Sequence, residues 1–231
     1  MKKLNIVIIA MSALALAAAA GCGQKAVNTT QAATETIKET TAETKTPAGE
    51  TETKQEESAG TEAAGQATTQ TAADGTLTGP YLVTSCGQSP GAVMVNMVAA
   101  QEGLTSANDN GLTADKFSAG DYKTLIVTTG TSMKGMGAAG TDVDAEIDRC
   151  VSLINAAKEA GLTIVGAHVE GMARHTDSSD AASIDAVMEL ADVILVIEDS
   201  DSDGFFTKYA EDNSKPLIKV KDALDIASVL K

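Results

Sequence analysis

The chain has 231 residues, with 17 Lys or Arg against 32 Asp or Glu, a formal net charge of −15 at pH 7. An acidic balance of this size argues against nucleic acid as a partner and against direct contact of the protein surface with anionic lipid. Tryptophan is absent and 3% of residues are aromatic, so a sugar platform of stacked rings is not expected.

Residues 1–21 read as a signal peptide. Met1-Lys2-Lys3 is basic, Leu4 to Ala20 is apolar apart from Asn5 and Ser12, and small residues precede Cys22. Ala19-Ala20-Gly21-Cys22 resembles the lipobox of bacterial lipoproteins, with alanine at position 19 where leucine is commoner. The resemblance implies that Cys22 is diacylated, palmitate included, and becomes the mature N-terminus. Its partner would then be cytoplasmic-membrane or outer-membrane lipid, and the protein would be extracytoplasmic and lipid-anchored without spanning the bilayer. An ordinary signal peptide cut nearby, or an uncleaved anchor, is the alternative. Residues 22–78 continue as a linker. From Gln24 to Thr78 the chain is Thr, Ala, Glu, Gln and Lys with no aromatic residue, too little apolar surface to offset ordering entropy, so disorder is expected.

Residues 79–231 form one domain, with 23 acidic and 11 basic residues. With Cys22 lipidated, only Cys86 and Cys150 remain, too few for a disulfide framework, and the fold must rest on an apolar core. Tyr81 to Ser85 is a strand, and Ser89 with Pro90 suits a helix start before Gly91 to Glu102, a helix apolar on almost every face and expected to be well buried. Leu104 to Gly120 is ambiguous, with a short strand near 104–107 and a helical turn near 113–117. Tyr122 to Thr129 is a central strand, followed by a loop from Gly130 to Thr141. Val143, Ile147, Cys150, Val151, Ile154 and Ala157 recur at helical spacing within Asp142 to Ala160. Leu162 to His168 is the next strand, Ser178 or Ser179 caps the next helix, and Val193 to Ile197 is a buried strand. A short helix around 206–212, a strand at 216–220 and a helix at 222–230 complete the chain. Strict alternation with continuously apolar strands predicts an α/β fold: a doubly wound, flavodoxin/Rossmann-like parallel sheet of about five strands.

In such a sheet ligands bind beyond the carboxyl ends of the strands. Polar and glycine-rich sequence gathers there: Ser85 to Ser89, Gly130 to Gly140, His168 to Asp177, and Glu198 to Gly204. Gly87, Gln88, Ser89, Thr131, Ser132 and Lys134 suit an anion held by backbone N–H groups and an ammonium, although Lys-Ser/Thr of a P-loop is absent. A plain tight connection is the alternative. His168, Glu170, Arg174 and His175 form the densest cluster, with both of the chain's histidines in one loop: Arg174 suits a carboxylate or phosphate, and His168 a general base or metal ligand. The alternative makes His168 a satisfied strand-end residue and Arg174 an ion-pair partner. Cys86, between a strand and a helix start whose dipole would lower its pKa, reads as a small buried residue, with a nucleophilic thiol as the alternative, and Cys150 reads as core. Asp199-x-Asp201-x-Asp203-Gly204 begins like an EF-hand loop, which admits Ca2+, but the twelfth position is Ala210, and an Asp-rich turn without metal is the alternative.

Ser85–Ser89, Gly130–Gly140, His168–Asp180 and Glu198–Thr207 together resemble an uncharacterised bacterial family of secreted or lipid-anchored single α/β domains, a domain of unknown function. The resemblance spans nearly all of 79–231 and implies one domain with one site, but no activity. Three functions remain open: a tethered module binding a small anionic ligand, a hydrolase or transferase using the His168/Glu170 loop, and a structural or protein-interaction domain.

Overall fold

Tyr81–Ser85 (β1) lies at the turning point of a six-stranded sheet, all of whose neighbouring strands run parallel. The computed structural model describes residues 75–231; the expected signal peptide, Cys22 and nearly all of the linker lie outside the described residues. The remaining strands are Ser106–Asn108 (β2), Thr124–Thr128 (β3), Thr163–His168 (β4), Val193–Ile197 (β5) and Leu217–Val220 (β6), in spatial order β2-β1-β3-β4-β5-β6. This is the doubly wound order expected, with one strand more than five because β2 forms as a three-residue edge strand in the ambiguous stretch.

Side-chain alternation explains why the strands are apolar throughout. Val83, Ile126 and Val165 feed one layer, together with Val95 and Ala99 of helix α1 (Gly91–Gln101). Leu82, Leu125, Val127 and Ile164 feed the other, together with Cys150, Leu153, Ile154 and Ala157 of helix α3 (Val143–Glu159). A strand covered on both faces has no polar side to show. Helix α4 (Ser178–Leu190) covers β5 through Ile184 and Met188, where Phe206 of helix α5 (Phe205–Asp212) joins them.

Several local expectations are corrected. The glycine-rich loop after β3 contains a helix, α2 (Met133–Ala139), because Ser132 caps it by accepting from the Gly135 N–H at 3.1 Å and Gly140 ends it in the left-handed conformation. Pro90, not Ser89, occupies the N-cap position of helix α1, with no side-chain cap, and the helix is less buried than its composition suggests: Val93 and Met97 are exposed. Asp177, not a serine, caps α4, accepting from the N–H groups of Ser179 and Asp180. The last element is a 3₁₀ turn over Asp225–Val229.

Ordered contacts begin before Gly79. Leu77 is fully buried and bridges Leu230; its N–H donates to Val229 O at 2.7 Å, and the Gly79 N–H donates to Lys231 O at 2.8 Å. The Tyr81 hydroxyl sits between the carbonyl oxygens of Leu77 and Lys231. No helix of the described residues is long and apolar enough to cross a membrane.

Candidate functional site

Strand order reverses at β1, with β2 on one side and β3 on the other, so the carboxyl ends of β1 and β3 flank the switch point. The loops after β1, β3 and β4 therefore share one edge, and Gly87, Gln88, Ser89, Thr131, Ser132, Glu170 and Arg174 are brought together there.

The first two loops are zipped to one another. Gln88 and Thr131 pair in an antiparallel bridge, and the Ser132 N–H donates to Gly87 O at 2.8 Å. Gln88 takes φ 58°, uncommon for a residue with a side chain, and its amide donates to Asn110 O and to Glu146 Oε1. The glycines allow this close approach: a Cβ on Gly135 would run into the Gln88 carbonyl oxygen, and one on Gly130 would lie 2.7 Å from the Arg174 Cβ. Their role in the fold is contact between loops.

Backbone N–H groups that suit an external anion already face the chain's own carboxylates. Gly87 N–H donates to Glu146 at 3.3 Å, Gly91 N–H at the start of α1 to Glu170 at 2.7 Å, and Thr131 N–H to Asp180 at 2.7 Å. Burial raises the Asp180 pKa, but hydrogen bonds from Thr131 and Thr176 outweigh it and hold the carboxyl below its ordinary value. Arg174 spans two of the loops: Nε donates to Glu170 at 3.2 Å and Nη1 to Thr131 O at 2.6 Å. Its side chain stays 32% exposed, against 9% for Glu170. Lys134, on the first turn of α2, is exposed.

His168 and Ser89 are buried instead of facing a ligand. Nε2 of His168 lies 3.3 Å from Gly171 O and must be the protonated nitrogen, since a carbonyl only accepts; Nδ1, 2.8 Å from the Thr129 hydroxyl, is then the acceptor. Burial pushes its pKa down to about 4, so the ring is neutral at pH 7. Phe206 stacks on it at 5.1 Å. The Ser89 N–H donates to Ser85 Oγ, and the two hydroxyls lie 3.3 Å apart.

The Asp-rich turn sends its carboxylates to different places. Asp201 accepts from the N–H groups of Phe206 and Thr207 and from the Thr207 hydroxyl, and it pairs with Lys219 at 2.5 Å. Asp199 accepts from the Met172 N–H and Asp203 from the Phe205 N–H. Among the described residues no three His, Cys, Asp or Glu side chains converge as a metal site requires.

Sequence reading missed the ion pair beneath the β1 loop. Glu146 and Arg149 meet at 2.9 Å, and Arg149 also donates to Ser85 O and Leu112 O. Its signal was Glu146 itself, which shares a helical stripe with Cys150, Leu153 and Ala157 and so stands as an acid among core residues. A cleft of about 530 Å³ is lined by Arg149 with Thr113, Ala114, Asp115, Ala145, Asp148 and Ser152, but the guanidinium donors are already engaged within the fold.

Comparison with solved structures gives weak likenesses. A GDSL-like lipase from Bacteroides thetaiotaomicron VPI-5482 is 12% identical with a TM-score of 0.30, the match covering 60% of this chain and 66% of that one. The psychrotrophic esterase EstA from Pseudoalteromonas sp. is 9% identical with a TM-score of 0.29, covering 60% and 76%. The chain thus spans just under two thirds of the lipase, and likenesses at this level assign no activity. No curated protein matches the sequence significantly. A family model, described as a domain of unknown function (DUF6305), matches residues 78–231, and the chain belongs to that family.

Proposed function

We propose that the domain is a binding module, tethered outside a cell membrane by lipid on Cys22, that takes a small anionic ligand at the carboxyl edge of the sheet. Arg174 would be the main contact, with Ser132 and Lys134 beside it. The observation that carries this reading is the state of the Arg174 guanidinium. It is oriented by Glu170 and Thr131 O, yet a third of its side-chain surface remains open at the loop edge. A guanidinium fixed on one side and open on another suits a carboxylate or phosphate. Catalysis by the same residues has less support. His168 has both ring nitrogens engaged, Ser132 caps α2, and Glu170 accepts from two donors, so no hydrogen-bonded nucleophile and base stand together among them.

The test is a thermal-shift screen of the full chain with inorganic phosphate, sugar phosphates and small mono- and dicarboxylates, followed by calorimetric titration of those that raise the melting temperature. Arg174→Ala should weaken binding roughly ten- to a hundredfold, as for loss of a charge-assisted hydrogen bond. Equal binding by that variant would refute the site. For the tether, Cys22→Ser should release the protein from the membrane fraction or block its processing; unchanged lipid labelling would refute it.

A further inference from the structure

We infer that Cys86 and Cys150 are a cross-linking pair that closes to a disulfide between the end of β1 and the middle of α3. Both are wholly buried and pack in the same apolar layer. Cys150 Sγ lies 3.7 Å from the Ser85 carbonyl oxygen, on the peptide that leads into Cys86. Cys86 Sγ lies 3.9 Å from the Glu146 carbonyl oxygen, one helical turn ahead of Cys150. Each sulfur thus sits against the backbone that carries the other.

The surroundings divide the roles. The neighbouring Cys150 pulls the Cys86 thiol below its ordinary pKa against the opposing effect of burial, with Ser183 and Arg149 adding to the pull. The same contact and burial push Cys150 well up. Cys86 lies in the loop just after β1, whereas Cys150 is held within α3, so local opening bares Cys86 first and makes it the attacking thiol. Both sulfurs are buried, so a small-molecule disulfide acting as oxidant reaches them when the end of β1 opens locally; the Cys86 thiolate then bonds to one of its sulfurs and expels the other as a thiolate, leaving a mixed disulfide. Cys150 then gives up its proton and attacks Cys86 Sγ, expelling the second thiolate. The two protein protons end on the two expelled thiols, so one disulfide is reduced as one forms. Arg149 Nη2, 3.2 Å from Cys150 Sγ, stands where it stabilises the second thiolate. The bond would enclose the whole chain from β1 to α3, a long loop whose closure restricts the unfolded state strongly.

The experiment uses the full chain carrying Cys22→Ser, which leaves two of its three cysteines. It is equilibrated in glutathione redox buffers with and without urea, from both the reduced and the oxidised side. Thiols are then trapped by alkylation and mapped by mass spectrometry. The expected result is a Cys86–Cys150 disulfide whose equilibrium constant is at least about tenfold larger in native buffer than in urea, and an oxidised form that melts higher than the reduced form, since a fold that favours the bond must be stabilised by it. An equal or smaller constant in native buffer, a lower melting temperature for the oxidised form, or separate glutathione adducts in place of ring closure would each overturn the inference.

Discussion

Glu146 and Arg149 meet at 2.9 Å with side chains only 4% and 10% exposed, and the pair carries the β1 loop: the carboxylate accepts from the Gly87 N–H and the Gln88 amide, and the guanidinium donates to Ser85 O. Glu146→Ala leaves a largely buried guanidinium without its carboxylate and two loop donors without an acceptor. Urea unfolding should show a loss of about 3–5 kcal/mol. The double variant Glu146→Leu/Arg149→Met should recover much of that loss, because the desolvation cost of the charges goes with them. A double variant as unstable as the single one would contradict this account.

His168 predicts an acid-dependent loss of stability. Its folded pKa is about 4, below the roughly 6.5 of an exposed histidine, so the unfolded chain takes up the proton first. The contribution is full above pH 6.5 and is lost as pH falls towards 4, about 3 kcal/mol across that window. Asp180 and Asp201 also have lowered values, but theirs are carboxyl pKa values, so their contributions are lost only below the unfolded carboxyl pKa, as pH falls through their folded ones. Urea melts at several pH values should therefore show a slope between pH 6.5 and 4.5 that His168→Gln removes.

Gly130 and Gly137 should respond oppositely to alanine. Gly130 has φ 100° and its Cβ would press on the Arg174 Cβ, so Gly130→Ala should cost about 3 kcal/mol. A Cβ on Gly137 meets nothing within 4 Å, and the residue lies inside α2, so Gly137→Ala should stabilise by up to about 1 kcal/mol. Thermal melts of the two variants check both signs.

Both Asp201 carboxylate oxygens are engaged by α5, and one also pairs with Lys219. Millimolar Ca2+ should leave the melting temperature unchanged, whereas Asp201→Ala should cost about 2–4 kcal/mol through the lost helix cap and the unpaired lysine. A rise in melting temperature with Ca2+ that Asp201→Ala abolishes would restore the metal reading.

The parallel sheet was legible because strands such as Val193–Ile197, with no polar residue, admit cover on both faces only. Helix α2 was not, because Gly135 and Gly137 argue against a helix locally while the cap from Ser132 and the approach to Gln88 depend on the assembled fold. Loop position could be read from topology, so Glu170 and Arg174 were expected at the carboxyl edge of the sheet, where they lie. What each side chain holds could not. Glu146, Glu170 and Asp180 meet loop N–H groups 59, 79 and 49 residues away in sequence, and nothing local marks a carboxylate for such a partner.

The ladder between Leu77 and Val229 to Lys231 makes residues distant in sequence neighbours in space. A short glycine-rich join from 231 to 76 would accordingly seal the fold into a ring, which can be reopened elsewhere. The exposed turn at Asn213 and Ser214, where φ of Ser214 is 52°, is a natural place to cut. Such a circular permutant would carry its ends beside β6, on the far side of the sheet from β2, and would leave the Arg174 edge uncut. Trimming Leu230 and Lys231 would do the reverse, removing the acceptor of the Gly79 N–H and the donor to Leu77 O, so that the opening residues of the domain lose their seat.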